Sequence, residues 1–366
     1  MKSNYDILGN HIRLIDTRNR ESITDIVLGI NIDKFFMPSV ANVIGTDLSK
    51  YKLITKGKFA CNPMHVGRDE RLPVALYDEE EPAIVSPAYF MFEVIDNSIL
   101  NEDYLMMWFR RPEFDRICWL HTDGSVRGGI TWNDICRLEL PIPPIEKQIE
   151  IVNSYKAITE RIALKQKIND NLDATIYAKF QDMFQKNKEI LFSGEQLEDW
   201  CIKPLSFLAD FKYGKMATSE ILCEKGFPVY SGYRIVGYCN KYMFKEPQLV
   251  VLARGVSGTG EVRISPPCCH LTNLSIAVLL YDRTYINYLL YYLENDNLIS
   301  LDSGSAQSQI TINDLSMHKV MLPPYSKVVE FDNIAKQLRS IIDENNKEIE
   351  VLEELKKVLL TTISSR

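Results

Sequence analysis

The residues whose types and spacing could do chemistry form three short motifs, and none completes a catalytic site. Gly255-Val-Ser-Gly-Thr-Gly260 has glycines spaced as in a phosphate-binding loop, but the Gly-Lys-Ser/Thr ending of such a loop is missing. Leu322-Pro-Pro-Tyr325 has the form of an amino-methyltransferase tetrad, but its leucine cannot accept a hydrogen bond from a target amino group. Cys268-Cys269-His270 lacks a second pair of ligands at zinc spacing. We therefore expect no catalytic residue and no bound metal, which favours a binding protein.

The composition narrows the class of protein. The chain has 366 residues, 46% of them hydrophobic, which is enough for more than one packed domain. Lys and Arg total 42 against 49 Asp and Glu, so the net charge of −7 gives no overall sign of a nucleic-acid partner. The longest apolar runs fall short of the roughly 18 residues of a membrane span. Eight cysteines without a Cys-x-x-Cys pair suit reduced thiols, and we expect a cytoplasmic protein that does not enter a membrane.

The elements that would position any binding residues occur twice. Residues 130–147 and 310–327 align without a gap at an offset of 180 residues. Asp103-Tyr104-Leu105 also corresponds to Asn287-Tyr288-Leu289. Two copies of so long a unit are too few for a solenoid, so they indicate two equivalent domains. The identical residues of the gapless alignment are Ile130, Thr131, Asn133, Asp134, Pro143, Pro144 and Lys147 with their partners.

Each copy begins with a mixed segment, at about 1–140 and 193–320, that we interpret as α/β (α+β) or β-rich. Residues 250–253 and 274–280 are apolar runs bounded by Gly, Pro and Ser, which is typical of buried strands. Residues 104–109 and 286–293 predict a short helix near the end of each segment.

A long charged stretch follows the Pro-Pro pair of each copy, with apolar residues at alternating steps of three and four. This spacing predicts two long helices with a heptad seam. About 40 helical residues span roughly 60 Å, so the two helices are expected to pack against each other. Polar Asn345 would then fix their register. The predicted seam residues are Ile158, Ile162, Leu172 and Ile176 in the first helix and Leu338, Ile342, Asn345, Ile349, Leu352 and Leu359 in the second.

In this order, and twice, the motifs resemble the specificity subunit of Type I restriction–modification enzymes. The resemblance covers essentially the whole chain. It rests on two Ile-Thr-x-Asn-Asp-[Ile/Leu]…Pro-Pro…Lys segments, each leading into a long helix. Lys56-Gly-Lys-Phe59, Val85-Ser-Pro-Ala-Tyr89, Arg254-Gly-Val-Ser-Gly258 and the C-terminal Leu-Lys-Lys-Val-Leu-Leu add to it.

The resemblance implies two target-recognition domains joined by two long helices, which pair as an antiparallel coiled coil with a pseudo-twofold internal repeat. The implied segments are the first recognition domain at 1–141, the first helical spacer at 142–192, the second recognition domain at 193–321 and the second spacer at 322–366. Each recognition domain would read one half of a bipartite site in double-stranded DNA.

The resemblance also implies the partners. Two methyltransferase subunits would dock on the helical regions, and restriction subunits would add the translocase and the nuclease. S-adenosylmethionine, ATP and Mg²⁺ would belong to these partners. The chain itself would therefore hold no cofactor and perform no chemistry in DNA methylation or phage defence.

Neither mixed segment is basic overall. Residues 1–140 hold 16 basic and 21 acidic residues, and residues 193–320 hold 11 and 13. A DNA surface must therefore sort its cations onto one face, or take phosphate contacts from the methyltransferases. Arg reads guanine and phosphate, and Tyr and Ser bond phosphates. The candidates chosen on this ground are Lys56, Lys58, Arg68 and Arg127 in the first domain and Lys212, Lys215, Tyr230, Arg234, Arg254, Ser257 and Arg263 in the second.

Two other functions stay open at this point. A coiled-coil scaffold that joins two protein-binding modules would have the same helices, but it would show no salt-dependent DNA binding when assembled with a methyltransferase. An enzyme would need a catalytic constellation that the motifs do not supply.

Overall fold

A computed structural model describes residues 5–41, 43–64, 66–122, 128–194, 197–255, 258–301 and 309–363, with Arg68 described by its backbone only. The chain divides into two compact units. Unit 1 comprises residues 1–165 and 347–366, and unit 2 comprises residues 166–346. Each unit therefore contains one part of each long helix.

Unit 1 alternates short strands and short helices before the first long helix. Its elements are β1 (Tyr5–Ile7), β2 (Ile12–Ile15), β3 (Val27–Ile30), β4 (Phe36–Pro38), β5 (Lys52–Ile54), β6 (Phe59–Cys61), α1 (Val66–Asp69), β7 (Val74–Leu76), β8 (Ala83–Val85), β9 (Phe90–Val94), α2 (Glu102–Phe109), α3 (Pro112–Leu120), α4 (Trp132–Cys136), β10 (Glu139–Pro141) and the first part of α5 (Ile145–Phe180).

Unit 2 repeats this order after the end of α5, which continues through a π-helical turn, Gln181–Gln185. Its elements are α6 (Lys186–Phe192), β11 (Cys201–Pro204), β12 (Ala209–Tyr213), β13 (Leu222–Cys223), β14 (Phe227–Tyr230), β15 (Ile235–Cys239), β16 (Leu249–Leu252), β17 (Val262–Ile264), β18 (His270–Leu271), β19 (Ser275–Leu280), α7 (Tyr285–Asn295), α8 (Ile312–Met317), β20 (Lys319–Leu322) and the first part of α9 (Tyr325–Thr362).

The two units share their sheet topology. In each, the strand before the first four-stranded sheet pairs antiparallel with the strand before a long helix, as β1 with β10 and β11 with β20. The order β2-β9-β6-β7 corresponds to β12-β19-β16-β17, and the parallel pair β3–β8 corresponds to β14–β18. The second sheets differ at both edges, because β5 is added beside β8 in unit 1 whereas β13 is added beside β15 in unit 2. The predicted internal repeat and mixed fold class are confirmed.

Two buried tyrosines mark the register of the repeat. The hydroxyl of Tyr104 donates to the carbonyl of Pro141 at 3.1 Å, and that of Tyr288 donates to the carbonyl of Met321 at 2.8 Å. Both bonds hold the short helix, α2 or α7, against the strand that precedes a long helix. The two short helices that the sequence predicted are thus confirmed at equivalent positions.

The repeated Ile-Thr-x-Asn-Asp motif begins a helix. Thr131 accepts a hydrogen bond from the backbone N–H of Asp134 at the start of α4, and Thr311 accepts one from Asp314 at the start of α8, both at 3.2 Å. Such caps satisfy backbone donors that have no partner within the helix. The motif is therefore a folding signal in both copies.

An aromatic cluster forms the centre of the core of unit 1. The rings of Phe59 and Phe92 stack at 5.0 Å between centroids, and Phe109 of α2 packs edge-on against both. All three side chains are 0–1% exposed. Burying a phenylalanine side chain stabilises a fold by about 1.5–3 kcal/mol, so this cluster fixes α2 on the β2-β9-β6-β7 sheet.

The long helices run antiparallel in both units. In unit 1, Val152 and Tyr155 near the start of α5 share a core with Leu360 and Ile363 at the end of the second helix. In unit 2, Phe180 at the end of α5 packs against Phe331 near the start of α9, with ring centroids 5.8 Å apart. The antiparallel pairing that the resemblance implied is confirmed.

The side chains at the predicted heptad positions are less exposed than most of the others on the two long helices. Of the predicted seam residues, three are buried and the rest are half-buried, whereas most of their neighbours on the same helices are exposed. The buried ones are Ile162, Ile176 and Asn345, and the half-buried ones are Ile158, Leu172, Leu338, Ile342, Ile349, Leu352 and Leu359. At the edge of the seam in unit 1, Glu348 bonds to Arg161 at 2.5 Å and Lys165 at 2.8 Å.

Candidate nucleic-acid interface

Several connections of unit 2 meet at one end of its sheets. The backbone N–H of Lys215 donates to Leu271 O at 2.8 Å, and that of Arg254 to Leu274 O at 3.2 Å. The N–H of Thr272 donates to Tyr230 O at 3.0 Å. We name residues 214–216, 231–234, 253–255 and 272–274 the loop end of unit 2.

Three predicted cations project from the loop end of unit 2. Lys215, Arg234 and Arg254 are exposed, and none of them forms an ion pair with a carboxylate in the described part of the chain. The guanidinium of Arg234 lies 5.4 Å from the ring centroid of Tyr233, which is itself 51% exposed. Exposed cations beside an aromatic ring can bond phosphates or base edges without first breaking an internal pair.

Buried polar groups set the shape of the 231–234 turn. Gly232 has a φ of +102°, and a Cβ at this position would collide with the hydroxyl of Ser275. That hydroxyl, which is fully buried, donates to the carbonyl of Ser231 at 3.1 Å. The turn that carries Arg234 is therefore fixed by the strand behind it, and only glycine fits at its second position.

The other predicted residues of the second domain lie elsewhere. Lys212 is exposed on β12, with its ammonium 5.7 Å from the Phe244 ring centroid. Tyr230 is 7% exposed, and burial raises the pKa of its hydroxyl. Arg263 pairs with Glu261 at 2.9 Å and with Glu294 at 3.2 Å. Ser257 lies outside the described residues.

In unit 1 the predicted lysines do not reach the corresponding end. Lys56 and Lys58 precede β6, whereas the segment that corresponds to the loop end of unit 2 follows that strand. Lys56 is paired with Glu80, a contact that raises the pKa of the lysine, and Lys58 is paired with Glu93. The side chain of Arg68 and all of Arg127 lie outside the described residues.

A charged residue that the sequence did not single out lies in a unit 1 connection. Arg71, between β6 and β7, donates to Asp33, in the turn between β3 and β4, at 2.9 Å. Lys52, a cation that the sequence did offer, begins β5; it is 8% exposed and bonds to the carbonyl of Tyr89 at 2.6 Å, and burial lowers its pKa. The signal available in the sequence was the repeat, because the β6–β7 connection corresponds to the β16–β17 connection that carries Arg254.

The motifs that could have carried chemistry have structural roles. Leu322 ends β20 and Tyr325 begins α9, so the tetrad is the bend between them. Gly255–Gly260 connects two strands, with Val256 and Ser257 outside the described residues, and a phosphate loop would connect a strand to a helix. Within the described ranges, no group of three or more His, Cys, Asp or Glu could hold a metal ion, and no helix is long and apolar enough to cross a membrane.

Comparison with known proteins agrees with this architecture. Residues 197–356 match the family model of the Type I restriction modification DNA specificity domain. This segment carries a specificity domain of that family, and the whole chain is similar to Type I specificity subunits. Its function is DNA sequence specificity, the recognition role of that family.

Relatives and solved structures cover nearly the whole length of this chain. It is 25% identical to the MjaX type I restriction enzyme specificity subunit of Methanocaldococcus jannaschii, over 99% of this chain and 88% of that protein. It is similar in fold to the S subunit of the Type-I system from M. genitalium, with a TM-score of 0.65, 17% identity and coverage of 100% and 97%. A chain from a study of type I complex assembly gives a TM-score of 0.50, 18% identity and coverage of 98% and 96%.

Proposed function

We propose that each unit reads one half of a bipartite site in double-stranded DNA, and that unit 2 does so with its loop end. The observation that carries this proposal is the exposure of Lys215, Arg234 and Arg254 on connections that recur in unit 1. A single reader that contacts a few base pairs gains about 1–3 kcal/mol of discrimination for each good base contact. Two readers in one chain make the second encounter intramolecular, so affinity and site length increase together.

Two methyltransferase subunits dock on the helical regions in this proposal, and restriction subunits join the complex afterwards. Support comes from a second apolar stripe on α9, where Val351, Leu355 and Val358 are 68%, 46% and 55% exposed. Their spacing of four and three residues puts them on one helix face, away from the seam. An exposed apolar stripe of this kind marks a protein interface.

The chain is the recognition component and performs no catalysis in this proposal. S-adenosylmethionine, ATP and Mg²⁺ are assigned to the methyltransferase and restriction subunits. The cytoplasmic location stays a prediction from the sequence. Methyl transfer by the purified chain with S-adenosylmethionine, in the absence of any partner, would contradict this assignment.

The test is an exchange of the second recognition domain in the assembled methyltransferase complex. Residues 193–321 are replaced by those of a relative, and methylated adenines are mapped on DNA that contains many different sites. We expect one half of the recognised sequence to change and the other half and the gap to stay as they were. A change in both halves would refute the assignment of one half to each unit.

A variant pair tests docking separately. Val351→Ser combined with Val358→Ser should weaken binding of the methyltransferase subunit, since both changes remove apolar surface from the stripe. The control is Ser154→Ala on α5, whose exposed hydroxyl bonds only within its own helix. Equal association of both variants with the methyltransferase would contradict the role of the stripe.

A further inference from the structure

An exposed ion pair in unit 1 occupies the connections that correspond to those of Arg254 and Arg234 in unit 2. Arg71 Nη1 donates to Asp33 Oδ1 at 2.9 Å, and the side chains are 51% and 67% exposed. Arg71 lies between β6 and β7, as Arg254 lies between β16 and β17. Asp33 lies in the β3–β4 turn, as Arg234 lies in the β14–β15 turn.

A single carboxylate oxygen contacts the residue that follows each member of this pair. Asp115 Oδ1 accepts a hydrogen bond from Lys34 Nζ at 2.7 Å and another from the backbone N–H of Leu72 at 3.1 Å. Lys34 follows Asp33 in the chain, and Leu72 follows Arg71. Asp115 of α3 therefore ties the two connections together next to the exposed pair.

Lys34 is held in this position although its backbone conformation is unfavourable. Its side chain is 4% exposed, donates to the carbonyl of Phe109 at the end of α2 and lies 4.8 Å from the Phe114 ring centroid. Its φ of +68° is in the left-handed region, which a long side chain rarely adopts. Such strain persists where surrounding contacts over-determine it, and it is concentrated at functional sites.

Arg71 has the chemistry of a base reader. Its Nε and Nη2 make no hydrogen bond to any residue that the structure describes, so two donors of the guanidinium plane stay available. Guanine presents two acceptors, O6 and N7, which match two such donors in the major groove. The carboxylate of Glu70, just before Arg71 in the chain, disfavours close approach of a phosphate and leaves a neutral base edge as the better ligand.

We propose that Arg71 reads a guanine in the first half-site, that Asp33 orients its guanidinium, and that Lys34 and Asp115 position the two connections that carry the pair. This inference rests on the proposed function, because it assumes that unit 1 reads one half of a bipartite site. It names a specificity-determining residue and its positioning residues for that half.

The experiment measures base preference in the assembled complex of the full chain with its methyltransferase subunit. The probe is a set of DNA duplexes in which each position of the wild-type site is substituted in turn, and competition binding gives the preference at each position. The variants are Arg71→Ala, Arg71→Lys, Asp33→Asn and Asp115→Asn. The control is Arg13→Ala, because Arg13 is also an exposed arginine of unit 1 paired with a carboxylate, at 2.6 Å from Glu93.

The wild type should prefer guanine at one position of the first half-site by a factor of roughly 5 to 150, the range for one bidentate contact. Arg71→Ala should remove most of that preference, and Arg71→Lys should restore little, since an ammonium lacks the planar fork. Asp33→Asn and Asp115→Asn should lower the preference at the same position and no other. Arg13→Ala should leave the base preference at every position unchanged. None of the variants should change the preferences in the second half-site.

Each contrary result of this experiment overturns a different part of the proposal. If Arg71→Ala weakens binding equally for all duplexes and lowers the salt dependence, Arg71 contacts phosphate and the base-reading inference is overturned. If the preference profile is unchanged, Arg71 does not read DNA. Asp33→Asn is a surface change, so it keeps the test decisive even if Asp115→Asn unfolds unit 1. A wild-type complex without any bipartite preference would instead overturn the proposed function.

Discussion

Asn345 donates a hydrogen bond from its Nδ2 to the Oδ1 of Asn169, at 2.8 Å, across the helix pair of unit 2. The two side chains are 7% and 9% exposed. Asn169 also donates to Asn346 Oδ1 at 2.9 Å. A polar pair in an apolar seam satisfies both members only when the helices are in one register, so it selects that register.

We predict that Asn345→Leu destabilises the chain by about 1–3 kcal/mol, because it leaves a buried amide oxygen of Asn169 without its donor. The double change Asn169→Leu with Asn345→Leu should recover most of this loss, since an apolar pair needs no hydrogen bond. Urea unfolding of the three proteins measures both effects. A double variant less stable than Asn345→Leu would contradict the interpretation.

The repeated tyrosines give a second prediction. Tyr104→Phe and Tyr288→Phe should each cost about 1–2 kcal/mol, because each removes a buried hydrogen bond to a strand carbonyl. The losses should add, since the residues belong to separate units. Tyr242→Phe serves as the control, because this hydroxyl is on an exposed residue. Thermal unfolding of the single and double variants is the measurement, and strongly non-additive losses would be the contrary result.

We expect Asp296 to contribute to the loss of stability at acid pH. Burial acts to raise the pKa of Asp296, but hydrogen bonds from His318, at 2.9 Å, and from Lys188 hold it below its ordinary value. The folded-state pKa is thus lower than the unfolded one. The associated stability is present above the unfolded pKa of about 3.9 and is lost as the pH falls through the folded pKa.

Asp296→Asn should therefore flatten the loss of stability below about pH 4 and lower the stability at neutral pH. Denaturant midpoints between pH 2 and pH 7 compare the two proteins. The same acid limb in both would show that another group controls it.

The effect of each candidate cation on DNA binding should depend on whether its side chain is paired with a carboxylate. Arg234→Ala and Arg254→Ala should each weaken DNA binding by the methyltransferase complex and lower the slope of log affinity against log salt by about 1 if the cation contacts phosphate. Arg263→Ala and Lys56→Ala should leave that slope as it is, because both side chains are paired with glutamates. An effect of Arg263→Ala as large as that of Arg254→Ala would reject this division.

The helices and the repeat could be predicted from the sequence because each depends on local spacing. The seam follows from steps of three and four residues, and the start of α4 follows from the Thr131 cap. The surface role of a cation depends instead on distant carboxylates. Lys34 is paired with Asp115, which is 81 residues away in the chain, and Arg263 is paired with Glu294, which is 31 residues away. Composition and spacing do not show which cation meets which carboxylate in the fold, so the candidates included Arg263 and Lys56, whose side chains are paired with glutamates.

The division of the chain has a consequence for its synthesis. Residues 166–346 of unit 2 are contiguous, so this unit has its whole sequence once the ribosome has passed residue 346. Unit 1 begins first but finishes last, because Leu360 and Ile363 pack with Val152 and Tyr155 in its core. Part of the apolar surface of the N-terminal domain therefore stays uncovered until synthesis has passed residue 363 and a loop of about two hundred residues can close. During synthesis the first domain is therefore open to aggregation and proteolysis. It is completed only after the second domain.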